Sequence, residues 1–466
     1  RQFCRKGVKM FETIKNCFKV KEIRKKIWIT LLLLLVFRLG CYIPVPGIDS
    51  DIFGSAIANY DFLELMSSIT GSSLSNATLF ALGISPYINA SIIIQLLTVG
   101  IPALERLSRQ GEEGRKKIAQ ITRYVTILLA VAQAIGIIVN IAINGEENAL
   151  KLVMFGGGEG GLLSDTAATW IGGIFLVVVY TAGAMLVMFI GERITEYGIG
   201  NGISLIIFVG IISTAGIAIV QKFGDLFGGT QGLAPLWELI GFFVLTLLEF
   251  TAIVAVDLSE RRIPVQYAKQ VKGRKMYGGQ STGIPIRIAG GGVMPLIFAF
   301  AIISFPGMLA SLFWPGSGFE QGVAEWFSGS STHWYGQLIY LVTLCILIFA
   351  FSFFYSSMQF NPEDVSKTIQ QNGGFIQGIR PGKPTADYLK KISNRITLFG
   401  AIYLTLVALV PSILSIVVVA TGITTDTSLL SVFSTTGILI VVSVALELDK
   451  QLQSQLMMKN YKGFLK

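Results

Sequence analysis

Apolar runs of about twenty residues recur along the whole chain, separated by polar, glycine-rich or basic stretches. A bilayer-spanning helix needs roughly 20 mostly apolar residues. Ten stretches of the 466-residue chain meet that demand, near 27–46, 77–98, 119–143, 168–191, 202–220, 237–257, 288–314, 334–356, 396–419 and 431–449. No soluble core could bury them all, so the pattern predicts an all-α integral membrane protein with ten transmembrane helices. The first run has no small-residue cleavage site after it and reads as a retained helix rather than a signal peptide. Met10 reads as the natural start, and residues 1–9 are set aside.

Composition agrees. Charged residues make up only 14% of the chain, against about 25% in soluble domains, and mean hydropathy is +0.65. The net charge of +9 would suggest a nucleic-acid partner in a soluble protein, but here the basic residues are sorted by loop. Ten of them precede the first run. Others follow the second run (Arg106, Arg109, Arg115, Lys116, Lys117), the sixth, the eighth and the last, whereas the alternate loops hold two of the 37, Lys151 and Lys222. Lys and Arg in short loops stay cytoplasmic, so both termini are predicted to face the cytoplasm.

Two inward loops, 258–287 and 359–391, are long and basic. Long ordered loops of this kind usually touch a partner, although solvated topology signals would look the same. The outward segment 47–75 holds an apolar stretch with Tyr60, Phe62, Leu63, Leu65 and Met66. Such a stretch has no reason to face water: it either packs on the external face or folds back between helices, since re-entrant backbone at membrane depth is tolerated where protein or a cavity surrounds it.

Several chemistries find no support. The chain has no GxxxxGK[ST] phosphate loop and no HExxH, and its one histidine is His333. Its four cysteines have no metal-ligand spacing. Residues 156–161 (GGGEGG) fit GxGxxG by letter but lack a βαβ setting. The chain is therefore read as no enzyme, with no cofactor and no metal. Charges within the spans are few: Arg38, Glu249 without an evident role, and Glu447 and Asp449 near the end of the last span. Ion-coupled transport usually leaves acids at the midplane, so a secondary transporter is disfavoured.

Pro86 should kink or unwind the second span. Ile84 and Ile88 share a helix face there, as do Ile203 and Ile207 in the fifth span. Lipid contact or ordinary packing is the default explanation of such isoleucines, and the pattern alone does not lift them above it.

Longer motifs go further. Phe37-Arg38-Leu39-Gly40 with Ile43-Pro44-Val45-Pro46-Gly47, Ala81-Leu82-Gly83-Ile84 with Pro86-Tyr87-Ile88, Gly191-Glu192-Arg193-Ile194-Thr195 through Gly198-Ile199-Gly200-Asn201-Gly202-Ile203-Ser204, Tyr267-Ala268-Lys269, Gly378-Ile379-Arg380-Pro381-Gly382-Lys383-Pro384-Thr385 and the tail 439–459 occur in order along nearly the whole chain. In these residues the chain resembles the SecY family of protein-conducting channels, in its bacterial branch.

The resemblance implies an hourglass channel of two pseudo-symmetric inverted repeats, 27–220 and 237–449, between a basic segment 1–26 and a tail 450–466. It implies an apolar pore ring of Ile84, Ile88, Ile203, Ile207, Ile297 and Ile440, and a plug near 59–72. It implies a lateral gate with Asn89, Ile92 and Gln95 on one side and Phe300, Ile303 and Phe305 on the other, the two phenylalanines being equally compatible with lipid contact. Docking positions would be Arg380 first, then Arg261, Arg262, Lys269, Lys272, Arg274 and Lys275. The implied partners are SecE-type and SecG-type small subunits, the SecA motor ATPase, the ribosome, signal peptides, translocating polypeptides and membrane lipids, and the implied location is the bacterial plasma membrane. A greasy ring suits a pore that passes any polypeptide and dewets when empty. A specialised paralogue exporting few substrates, a solute transporter and a membrane-embedded lipid-processing enzyme are the alternatives.

Overall fold

The computed structural model describes residues 17–46, 73–74, 76–144, 165–227, 234–267, 270–272, 275–277, 281–288, 294–314, 317–327, 334–421 and 435–463. The segment predicted as plug, the glycine run 156–161 and His333 lie outside them. In chain order the elements are α1 (Lys21–Gly40), α2 (Ser85–Gly100), α3 (Pro102–Arg109), α4 (Glu112–Asn144), α5 (Asp165–Tyr197), α6 (Gly202–Phe227) and α7 (Ala234–Asp257). Then come β1 (Glu260–Tyr267), β2 (Gln270–Lys272), β3 (Lys275–Tyr277), β4 (Ser281–Arg287), α8 (Met294–Phe313), α9 (Gly318–Phe327), α10 (Trp334–Gln359), α11 (Pro362–Gln371), β5 (Gly374–Phe375), α12 (Lys383–Thr421) and α13 (Thr435–Gly463).

Each of the ten predicted spans falls on a helix, so the fold is that of a multi-pass helical membrane protein. Among the described residues, five helical stretches are long and apolar enough to cross a bilayer on their own, such as Trp170–Tyr197. A sixth is the bent pair α2–α3, which turns by 104° at its break. Three boundaries differ from the sequence expectation. Helix α1 ends at Gly40, not near 46. The last helix runs on through the predicted tail to Gly463. Helix α12 starts at Lys383, well before the apolar run at 396.

The chain folds as two compact units, residues 1–230, 303–340 and 444–466 in the first and 231–302 and 341–443 in the second. In the first unit the span predicted over 77–98 becomes helical only at Ser85. Residues 77–84 form turns, and Pro86 sits in the opening turn of α2, where its missing N–H costs nothing. The predicted unwinding is thus complete before the proline is reached.

Non-helical backbone inside a bilayer must find its hydrogen bonds within the protein. Val45 N donates to Ala77 O (3.0 Å) and Leu79 N donates to Ile43 O (3.0 Å), around a bridge between Pro44 and Thr78. Thr78 donates twice to Ser73 O, from its backbone N (3.1 Å) and from its Oγ1 (2.9 Å). Phe80 stacks on Phe37 of α1 at 6.0 Å. The wedge is sealed by Ala130, Ala134, Ile137 and Ile138 of α4 and by Leu176, Tyr180 and Ala184 of α5. Gly183 of α5 permits this closeness, because a Cβ there would lie 1.9 Å from Leu79 O.

A second close approach joins α5 to α6. A Cβ on Gly202 would meet Gly191 O at 2.0 Å. Thr195 Oγ1 donates to Gly191 O (2.9 Å) and accepts from Gly202 N (2.9 Å), and Asn201 Oδ1 accepts from Ile203 N (3.1 Å) as a helix cap. The turn then reaches α1, where Ile199 N donates to Thr30 Oγ1 (3.0 Å). Ile199, Cys17, Ile23 and Leu452 form one buried cluster, flanked by Val20, Ile27, Leu448 and Leu456. Burial, with Asp449 nearby, holds the Cys17 thiol above its ordinary pKa.

Replacing Gly202 with valine forces α5 and α6 apart and should cost about 1–3 kcal/mol or more, as overpacking does. Gly241→Ala, inside α7 where nothing lies within 4 Å, should not lower stability, since alanine favours the helix over glycine. Thermal unfolding in detergent, with the two variants side by side, reads the difference.

Candidate functional site

Four predicted ring positions belong to the first unit. Ile84 is buried at the N-cap of α2, and Ile88 N donates to its carbonyl (3.1 Å), so the two side chains follow each other by one turn. Their placement depends on the 77–84 wedge, which fixes where α2 can begin. Ile203 is half-buried in the first turn of α6 and Ile207 is buried a turn later. Their height is set by the Gly191–Gly202 contact and the Asn201 cap. Ile297 on α8 and Ile440 on α13 are half-buried and belong to the second unit. There Phe298, next to Ile297, is buried against Tyr355 and Phe351 of α10, with centroids 4.9 and 5.6 Å away.

Of the gate positions, Asn89 is half-buried and Ile92 buried on α2. Gln95 Nε2 donates to Ser91 Oγ on its own helix (3.1 Å). Phe300 is half-buried, Ile303 buried and Phe305 exposed along α8. Glu249 is buried and partnered on α7, near Tyr403 of α12.

The two long basic loops, a hundred residues apart in sequence, form one body in the second unit. Strand β1 pairs antiparallel with β4 from Glu260↔Arg287 to Gln266↔Ser281, and with β5 at Gln266↔Phe375 and Tyr267↔Gly374. The inward face of β1, Ile263 and Val265, packs with Ile286, with Ile369 of α11, with Ile376, and with Leu389, Ile392 and Ile396 of α12. This core explains why α12 begins so early: its first turns close the body before the apolar run begins.

Arg261 and Arg262 are exposed and alternate across the strand. Arg262 Nε donates to Glu260 Oε1 (2.8 Å). Lys272 and Lys275 are register partners in the β2–β3 hairpin. Lys269 and Arg274 lie outside the described residues. Arg380 is exposed on the turn 376–382, with its backbone tied down from two sides. Thr385 Oγ1 donates to Arg380 O (2.8 Å) and Ser366 Oγ donates to Gly382 O (2.7 Å). Gly378 and Gly382 take φ of +83° and +97° there, open to glycine without strain. An exposed guanidinium on a fixed turn is suited to carboxylate or phosphate recognition.

Sequence reasoning did not find Gly183, Thr30 and Ser366, which hold these positions; Thr385 stands in the recognised 378–385 motif, but its hydrogen bond to Arg380 O was not evident there. Each is one common residue whose partner lies far along the chain or in a turn. The ion pair between Arg123 of α4 and Glu192 of α5 (2.8 Å) was also missed.

These features define a multi-pass helical membrane fold with a basic, sheet-containing body on one unit. The model of the SecY family matches residues 78–448, and the chain belongs to that family. The protein translocase subunit SecY of Streptomyces galbus is 40% identical over 468 residues, covering 98% of this chain and 100% of that protein. That of Thermus thermophilus is 39% identical, covering 98% of each. A solved structure of a protein-conducting channel superposes with a TM-score of 0.63 at 18% identity, covering 95% of this chain and 96% of that one. Sec61 from a canine ribosome–channel complex gives 0.61 at 17% identity with the same coverage.

Each tether of the 376–382 turn is one hydrogen bond worth about 1 kcal/mol. Thr385→Val and Ser366→Ala should therefore each speed amide exchange across that turn roughly fivefold, leaving α12 protected. Hydrogen exchange read by mass spectrometry checks this.

Proposed function

We propose that the chain is the channel subunit of a protein translocase in the bacterial plasma membrane, conducting unfolded signal-bearing polypeptides across it and releasing apolar segments into the lipid. The observation that carries this reading is the match to translocase subunits over 98% of the chain at 40% identity. In this reading both termini face the cytoplasm, as the loop bias of Lys and Arg requires.

The isoleucine ring closes the pore, since its six side chains offer no hydrogen bonds that would select one polypeptide over another. The segment 59–72 seals the ring when idle. Helices α2 and α8 part sideways to admit a signal helix, with Asn89, Ile92, Gln95, Phe300, Ile303 and Phe305 along the seam. SecE-type and SecG-type subunits complete the complex.

The chain performs no bond-making step in this account, so the driving force comes from outside, from a SecA-type ATPase or a translating ribosome. The body carrying Arg261, Arg262 and Arg380 receives them. Its shared core lets a push at the 376–382 turn reach α12 directly. A basic surface fits both polyanionic ribosomal RNA and an acidic protein face.

Proteoliposomes holding this chain with a SecE-type partner and the SecA motor should import a signal-bearing precursor in an ATP-dependent manner. Arg380→Glu should lower import by about tenfold or more, as reversal of an interfacial charge does, with the complex still assembled. Equal import by both removes Arg380 from the docking site. Failure of the assembled wild-type complex removes the export function.

A further inference from the structure

Helix α9 is ten residues long, too short to cross a bilayer, and it joins α8 to α10, two helices that carry predicted spans. Phe319, Val323 and Trp326 are spaced four and three apart and share one face of it. Gln321 and Glu325, themselves four apart, lie on the other side and are exposed. Val323 is buried, whereas Phe319 and Trp326 beside it are 58% and 46% exposed. The helix thus rests on the protein through one residue and turns two large aromatic rings outward. Segment 312–332 holds no Lys or Arg, so attraction to lipid phosphates does not act here.

Each end of α9 is tied to a neighbouring helix by an aromatic pair. Phe319 packs edge-on against Trp314, the residue after α8, with ring centroids 5.5 Å apart. Trp314 N still donates to Ala310 O (2.9 Å), and Trp314 O accepts from Ser317 N (3.2 Å) and Ser317 Oγ (2.6 Å). Gln321 N then donates to Ser317 O (3.2 Å), so α9 begins within a turn of the end of α8. At the other end Trp326 lies 5.8 Å from Tyr335, the residue at which the apolar stretch of α10 begins. Tryptophan and tyrosine collect where a membrane meets water. A helix pinned to two such boundary residues lies at their height, and its outward aromatic face meets the zone between headgroups and acyl chains.

We infer that α9 is an in-plane membrane helix, with its Phe319–Trp326 face inserted in the lipid headgroup zone and Gln321 and Glu325 in water. The occupant of the apolar face is the bilayer surface itself, because that surface is continuous with the one α10 leaves at Tyr335. In the orientation proposed above it is the outer leaflet. Apolar burial holds the helix there, not charge, so zwitterionic lipid suffices. Anchored at both ends, α9 fixes the height at which α8 and α10 leave the bilayer. The inference rests on α10 being a membrane span and not on the export function.

The test places a small environment-sensitive dye at one position at a time, Phe319→Cys, Trp326→Cys, Gln321→Cys or Glu325→Cys. The full chain carries Cys4→Ser and Cys345→Ser and sits in phosphatidylcholine nanodiscs. The background without a new cysteine is the blank, and thermal unfolding matched to that background shows that each labelled chain is folded. Quenching by phosphatidylcholine with a nitroxide near the headgroup is compared with quenching by iodide in the water. Positions 319 and 326 should be quenched by the lipid about threefold more strongly than 321 and 325, as an in-plane amphipathic helix requires, and iodide should give the reverse order. Raising the salt should leave the lipid pattern unchanged, since no screened attraction is involved. Equal lipid quenching at the four positions overturns the inference, as does a pattern that fades with salt. Protection of 319 and 326 from both quenchers overturns it too, because protein would then cover the face. Import by the wild-type complex is read separately, so failure of the export function and failure of this inference are distinguishable.

Discussion

Inside a bilayer, any backbone amide or carbonyl that leaves a helix must find its partner within the protein, and the first unit is built around meeting that demand for residues 77–84. The wedge satisfies itself with Ile43, Val45 and Ser73 on one side. On the other it slides against α5 at Gly183, where any side chain would collide with Leu79 O. The start of α2, and hence the height of Ile84 and Ile88, follows from this arrangement. A helix of the full predicted length would need no wedge, but it would carry those isoleucines to a different level.

The same economy appears in the turn between α5 and α6. Thr195, Asn201 and Gly202 close it with side-chain hydrogen bonds and a backbone contact at Gly191. Ile199 in that turn joins the N-terminal segment, α1 and the end of α13 in one cluster. Residues 17–27 and 448–456 are thereby gathered at one place, around a residue four positions before Ile203. In the second unit the sheet β4-β1-β5 and two helices make one basic body with a shared core from segments that sequence order separates.

Much of this was legible beforehand, and the limits have physical causes. Hydropathy located the spans because solvent transfer is a property of each segment alone. It misplaced their ends wherever long-range hydrogen bonding decides the conformation. Nothing local to Ala77–Ile84 announces that Ile43 and Val45 will pair with it. Polar residues 383–395 read as loop because their helical period serves the body around Ile263 and Val265 and not the membrane. The motif 191–204 was recognised by its letters, whereas the roles of Gly191, Thr195 and Gly202 became clear only from the contact between helices.

The central proposal is that polypeptide passes through a constriction lined by isoleucines, four of which, Ile84, Ile88, Ile203 and Ile207, are positioned by the contacts of the first unit. A photo-crosslinking residue placed at Ile84, at Ile440, or at the exposed position Leu247 of α7 tests it in a reconstituted complex holding a stalled precursor. The account predicts adducts to the precursor from 84 and 440, and adducts to lipid alone from 247. Precursor adducts from 247 with none from 84 and 440 would contradict it.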